Sequence, residues 1–130
     1  MLSPILACTD VPAAIEYYTQ KLGFELEWTM PPNENGQTEF ASVKLGDAVL
    51  LLGITKGFVA LEDLDKRGIG IQLYIHLPES MKIDDVYTHA KSQNALITRE
   101  IETRDWGERA FTVNDLDGYN LMIAQQVKPE

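Results

Sequence analysis

From Phe24 to Met30 the chain sets Phe24, Leu26, Trp28 and Met30 against Glu25, Glu27 and Thr29, the period-two pattern of a strand with one buried face. Upstream, residues 3–9 form a short apolar run that reads as a first strand, with Pro4 near its start, where a missing N–H is tolerated. Asp10 then offers an N-cap and Pro12 fits the first helical turn. Ala14, Ile15, Tyr18 and Leu22 recur at helical spacing, and Gly23 closes the helix. A loop at 31–36 leads into a hairpin over 39–53, so the predicted order is βαβββ.

The same order returns downstream. Residues 55–68, with Gly57 and one helical turn over 61–65, read as a linker. A strand at 69–77 follows, broken by Pro78, and then a helix over 82–93 with Ile83, Val86, Tyr87 and Ala90 on one side. Asn94 and Ala95 close it, and 96–103 form another strand. A second hairpin turns at Asp115-Leu116-Asp117-Gly118, where Asp bonds its own backbone and Gly accepts positive φ. Residues 125–130 form a polar tail expected to fray. Phe40 to Phe111 spans 71 positions, Asp47 to Asp117 spans 70, and Leu51 to Met122 spans 71. Offsets this close predict two copies of one supersecondary unit.

At 130 residues the chain suits one domain, with module one at about 1–56, a linker at about 57–68 and module two at about 69–127. A net charge of −9 argues against nucleic acid, whose phosphates demand a basic face. Cys8 is the single cysteine and forms no internal disulfide, so nothing points to an oxidising compartment. No apolar run is long enough to span a membrane and no signal peptide is visible, which makes a cytoplasmic protein the expectation.

Two segments carry a resemblance. One is Asp10-Val11-Pro12-Ala13-Ala14-Ile15-Glu16-Tyr17-Tyr18 with Lys21-Leu22-Gly23-Phe24. The other is Trp106-Gly107-Glu108-Arg109-Ala110-Phe111 with Asp115-Leu116-Asp117-Gly118. Across nearly its whole length the chain resembles the glyoxalase, bleomycin-resistance and extradiol-dioxygenase superfamily, the vicinal oxygen chelate fold. The resemblance implies an α+β fold in which two tandem βαβββ modules form a curled mixed sheet around a central cavity, helices outside. It also implies a homodimer.

Given the cavity that the resemblance implies, strand alternation assigns which residues are expected to face it. Gln72, Tyr74 and His76 share the inward face of their strand, as do Ser3, Ile5 and Ala7, then Val49, Leu51 and Gly53, then Asn120, Met122 and Ala124. Arg109, Phe111 and Val113 share one face of theirs, expected to be the inward one, and Trp106 closes one end of the cavity. Metal-dependent relatives place His, Gln or Glu on four strands, and the matching positions here are Ser3, Leu51, Gln72 and Met122. Leu51 and Met122 offer no nitrogen or oxygen, so no metal and no other cofactor is expected.

The expected function is therefore a metal-free small-molecule-binding protein of the bleomycin-resistance type. Its expected ligand is an aromatic or cationic antibiotic or metabolite, and its ligand-binding candidates are Trp106, Arg109, Gln72, Tyr74, His76, Phe40, Leu51, Phe111 and Met122. An alternative is a glyoxalase-like lyase or isomerase, or a dioxygenase-like enzyme, with His76 as the one candidate acid–base group. A third is an association module whose cavity is filled by Phe40, Leu51, Phe111 and Met122 packing as core.

Overall fold

The computed structural model of the chain describes residues 2–56 and 59–127. Gly57 of the predicted linker and residues 128–130 of the predicted tail lie outside these. The first unit runs β1 (Ile5–Cys8), α1 (Val11–Glu16) with a π-helical extension (Tyr17–Lys21), β2 (Glu25–Thr29), β3 (Phe40–Leu45) and β4 (Ala48–Ile54). After a 3-10 helical stretch (Leu61–Lys66) the second runs β5 (Gln72–His76), α2 (Ile83–Ser92), β6 (Leu96–Thr103), β7 (Glu108–Asn114) and β8 (Asn120–Gln126). Each unit folds into one mixed four-stranded sheet, in the orders β1-β4-β3-β2 and β5-β8-β7-β6. β1 runs parallel to β4 and β5 to β8, and the other pairs are antiparallel. This is the tandem βαβββ arrangement of an α+β fold.

The local signals act as the sequence implies. Asp10 Oδ1 accepts the Ala13 N–H at 3.0 Å, satisfying one orphan donor of α1, a cap worth about 1 kcal/mol. Gly23 leaves the helix at φ 78°. The π-helical turn widens the helix where consecutive tyrosines both bury against the second unit. Tyr17 Oη donates to the Asn114 carbonyl at 2.5 Å and accepts the Leu96 N–H at 3.0 Å. Tyr18 Oη donates to Asp115 Oδ2 at 2.7 Å.

The core lies between helices and sheets. Leu6, Cys8, Val43, Leu50 and Leu52 fill the helix face of the first sheet, and Ile75, Phe111, Val113, Leu121 and Ile123 that of the second. At the junction of the units, Arg67 Nη1 donates to the Ala7 carbonyl at 3.1 Å and to Asp117 Oδ1 at 2.9 Å. Asp117 Oδ1 also accepts the Thr9 N–H, and Tyr119 Oη accepts that of Ala7. The Asp-Leu-Asp-Gly turn thus clamps the first strand as well as closing its own hairpin.

Four expectations need correction. β5 begins at Gln72 rather than 69, because Gly68 and Gly70 take positive φ and turn Ile69 and Ile71 out to solvent. β2 is not a clean alternation: a bulge between Leu26 and Trp28 shifts the register, so these two residues no longer share a face. The tail does not fray from 125, since β8 continues to Gln126. Gln125 Oε1 accepts the Ile83 N–H at the start of α2, while its Nε2 donates to the Pro78 and Met81 carbonyls. The fourth concerns the repeat. Phe40 pairs with Gly53, whereas Gly53's counterpart Ala124 pairs with Ala110. Phe40 therefore corresponds to Ala110, not to Phe111.

Candidate functional site

The inner strands β3, β4, β7 and β8, with β1 and β5 beside them, spend alternate residues on the helix-side core, so their other residues form a face without helices. On the first sheet this open face carries Ile5, Phe40, Leu51 and Gly53, joined at the edge by Trp28 and Met30. Gly53 makes room for Phe40: a side-chain carbon there would stand 3.3 Å from Phe40 Cδ1. Trp28 meets Phe40 edge to face, with ring centroids 6.3 Å apart. Ile5, Met30, Glu39, Phe40, Gly53 and Ile54 line a groove of about 560 Å³, a size suited to a small organic molecule.

The second sheet presents polar groups at the equivalent positions. Gln72 Nε2 donates to Asn120 Oδ1 at 2.6 Å, and Asn120 Nδ2 donates to Asn114 Oδ1 at 2.8 Å and Thr98 Oγ1 at 3.2 Å. Thr98 and Thr112 share a hydroxyl–hydroxyl bond of 2.6 Å. Nearer the β6–β7 hairpin, Tyr74 Oη donates to Glu108 Oε2, and Trp106 Nε1 donates to Glu108 Oε1 at 3.4 Å. His76 stacks on Tyr74 with centroids 6.5 Å apart. Loss of solvent, then the bond to Glu108 and its charge, push the Tyr74 phenol up to about 12. Ala110 and Ala124, opposite each other in register beside His76, keep this part of the face low.

The structure separates the expected site residues. Gln72, Tyr74, His76 and Met122 lie on the open face of the second sheet and Phe40 and Leu51 on that of the first, while Trp106 is exposed at the hairpin end. Arg109 and Phe111 point the other way. Phe111 is fully buried and packs on Tyr87 of α2, with centroids 5.1 Å apart. Arg109 Nη2 bonds Asp84 Oδ1 in the first turn of α2 at 2.9 Å, and Nη1 bonds Thr103. The expectation that they face inward fails because pairing Phe40 with Phe111 slips β7 by one residue, which exchanges its faces. With the correct phase, Glu108, Ala110, Thr112 and Asn114 occupy the open face, and Glu108 is the site residue that sequence reasoning missed. The signal was present in the 70-residue offset of Asp47 and Asp117.

The four positions at which metal-dependent relatives bind a divalent cation can be tested on their chemistry. Of the expected four, Ser3, Leu51, Gln72 and Met122, the register corrects two: Leu51 lies across from Ile5 rather than Ser3, and Met122 across from Tyr74 rather than Gln72. Two hydrocarbon groups, a thioether and a phenol already bonded to a carboxylate make no donor set for a hard or borderline cation. Among the described residues no three of His, Cys, Asp and Glu come together as ligands. The residues present do not fit the metal.

The sequence profile of the Glyoxalase/Bleomycin resistance protein/Dioxygenase superfamily matches residues 2–123. No curated protein matches the chain. Among solved structures it is similar to TioX from Micromonospora sp. ML1, with a TM-score of 0.76 and 19% identity over 100% of this chain and 98% of that one. It is also similar to a superfamily member from Sphaerobacter thermophilus DSM 20745, with a TM-score of 0.66 and 25% identity over 95% and 94%. A lactoylglutathione lyase from Agrobacterium tumefaciens shares the fold at a TM-score of 0.65 and 15% identity over 96% and 92%. The match over nearly the whole length, together with the paired βαβββ units, makes this chain a member of the Glyoxalase/Bleomycin resistance protein/Dioxygenase superfamily.

Proposed function

We propose that this chain is a metal-free small-molecule-binding protein of the bleomycin-resistance type, sequestering an aromatic or cationic antibiotic or metabolite on the open faces of its sheets. The observation that carries this reading is the pairing of an aromatic groove around Phe40 on one sheet with a polar wall on the other, where metal-dependent relatives would carry ligands. Ile5, Trp28, Tyr74 and Trp106 are each more than half exposed in the single chain, at 53%, 51%, 54% and 59%. A second copy covering these faces would complete the cavity, so the working form is a homodimer in the cytoplasm. Gln72, Tyr74, Met122, Phe40 and Leu51 line the site, with Trp106 at its end. No helix among the described residues is long and apolar enough to cross a membrane.

One observation favours a second reading, a metal-independent lyase or isomerase: Tyr74 is bonded to Glu108 and stacked on His76. The same bond weakens that reading, because it makes the phenol a poorer acid at neutral pH. Native mass spectrometry of the purified protein, with and without chelator, tests the proposal. A metal-free dimer carrying an organic adduct supports it. One divalent ion per subunit, lost to chelator, overturns it.

A further inference from the structure

Glu108 is a carboxylate on an otherwise open sheet face, yet only 9% of it reaches solvent. Both of its described partners are neutral donors: the Tyr74 hydroxyl on Oε2 and the Trp106 indole N–H on Oε1. A carboxylate has room for about four hydrogen bonds, so two sites are left over. Among the described residues no Lys, Arg or His forms an ion pair with it.

None of the arginines on β6, on β7 or in the turn between them reaches Glu108. Arg99 Nη2 lies 2.5 Å from Glu102 Oε1, and Arg104 Nη1 lies 3.9 Å from the same atom. The Arg104 guanidinium also sits 5.9 Å from the Trp106 ring centroid. Arg109 is turned to the helix face, on Asp84. Glu102 thus has cationic partners and, among the described residues, Glu108 has none. A withdrawn carboxylate without a counter-charge is costly, and a bound cation offsets that cost. Its surroundings suit one. Tyr74 and Trp106 leave more than half of their surface free, and aromatic faces attract cations through the ring quadrupole. Ala110 and Ala124 leave the neighbouring rows unobstructed.

We infer that Glu108, Tyr74 and Trp106 form an ammonium subsite, and that the ligand of this chain carries a protonated or quaternary amine. The inference rests on the small-molecule-binding reading above and narrows its ligand from aromatic or cationic to one that carries a cation. The carboxylate takes the ammonium N–H or its charge, and the two rings flank it. A ligand with an anionic head is repelled at the same place.

Three probes that share one phenyl ring separate these terms: 2-phenylethylamine, 2-phenylethanol and 3-phenylpropionate, titrated into the full chain and followed by isotope-edited NMR. The protein has two tryptophans, so two indole N–H signals are expected and Trp106 is assigned by its variant. The amine should bind about ten-fold more tightly than the alcohol and shift the Trp106 signal, with the acid weakest. Glu108→Gln should bring amine and alcohol to similar affinity, whereas Glu102→Gln should keep the preference. If Glu108→Gln does not fold, the ranking of the probes on the unmodified chain decides. Equal binding of amine and alcohol overturns the ammonium subsite and leaves the binding-protein reading standing. A preference that survives Glu108→Gln, or that Glu102→Gln also abolishes, overturns the assignment to Glu108. Failure of all three to bind overturns both.

Discussion

The ring of Phe40 lies against Gly53, its cross-strand neighbour, so closely that a methyl group at Gly53 would stand 3.3 Å from Cδ1 and 3.4 Å from Cε1. The Ile5 Cγ2 methyl is 3.5 Å away on the other side. A groove floor is thus made by a residue with no side chain beneath one with a large ring. Gly53→Ala is expected to tilt Phe40 into the groove for a stability cost of about 1 kcal/mol or less, since the ring has room to give. Binding of 2-phenylethanol should fall several-fold, and more steeply in Gly53→Val. Thermal denaturation and titration calorimetry on the same samples separate the two effects. Unchanged binding in Gly53→Val would remove the groove from the site.

Arg109→Ala should behave differently from any change on the open face. Its guanidinium pairs with Asp84, whose side chain is largely exposed, so the loss of stability should stay at or below about 1 kcal/mol. Phenyl-probe affinity should not change. A large loss of affinity in Arg109→Ala, with unfolding transitions intact, would return that residue to the site.

The Tyr74–Glu108 bond has a spectroscopic signature. Tyr74 is raised from 10.0 to about 12, first by burial and then by Glu108. Because the folded value exceeds the unfolded one, the stabilisation from this bond is whole below pH 10 and is lost as pH rises through about 12. Phenolate absorbance in Glu108→Gln should show one tyrosine titrating at lower pH than in the unmodified chain. It should stay above 10.0, since burial remains.

Asp115 supplies an acid-side test. Burial raises its carboxyl above 3.8, opposed in part by the Tyr18 hydroxyl and the backbone N–H groups of Tyr119 and Asp117. The native state therefore holds the proton more tightly than the unfolded chain, and this group adds stability as pH falls through the raised value toward 3.8. Relative to Asp115→Asn, the unmodified protein should gain stability over that interval and run parallel to it at neutral pH. Urea midpoints of both proteins across the acid range measure the difference. A gain by the unmodified protein as pH rises instead would refute the sign.

Much of the architecture was legible because its signals are local. Asp10, Pro12 and Gly23 frame the first helix, and Asp115 to Gly118 turn the last hairpin, through contacts within a few residues. The strand faces around β1, β4, β5 and β8 followed from alternation once the resemblance had indicated which face looks inward. What was not legible depended on partners far along the chain. The bulge at β2 arises from pairing with β3, and nothing between Phe24 and Met30 announces it. Matching Phe40 to Phe111 joined like residues, but one is a groove floor and the other a core residue under Tyr87. That single slip hid Glu108 and put Arg109 and Phe111 on the wrong side. Gln125 looked like the beginning of a loose tail because its role, tying Pro78, Met81 and Ile83, lies across the fold.

The alternation along β3 and β4 also bears on how this chain can change over time. Ala41, Val43, Leu50 and Leu52 hold the domain together, while their immediate neighbours Phe40, Ser42, Leu51 and Gly53 do not belong to that core. Affinity and foldability are thus written on interleaved letters of the same words. One set can be revised without spoiling the other, and the two halves differ in just that set, apolar on the open face of the first sheet and polar on that of the second.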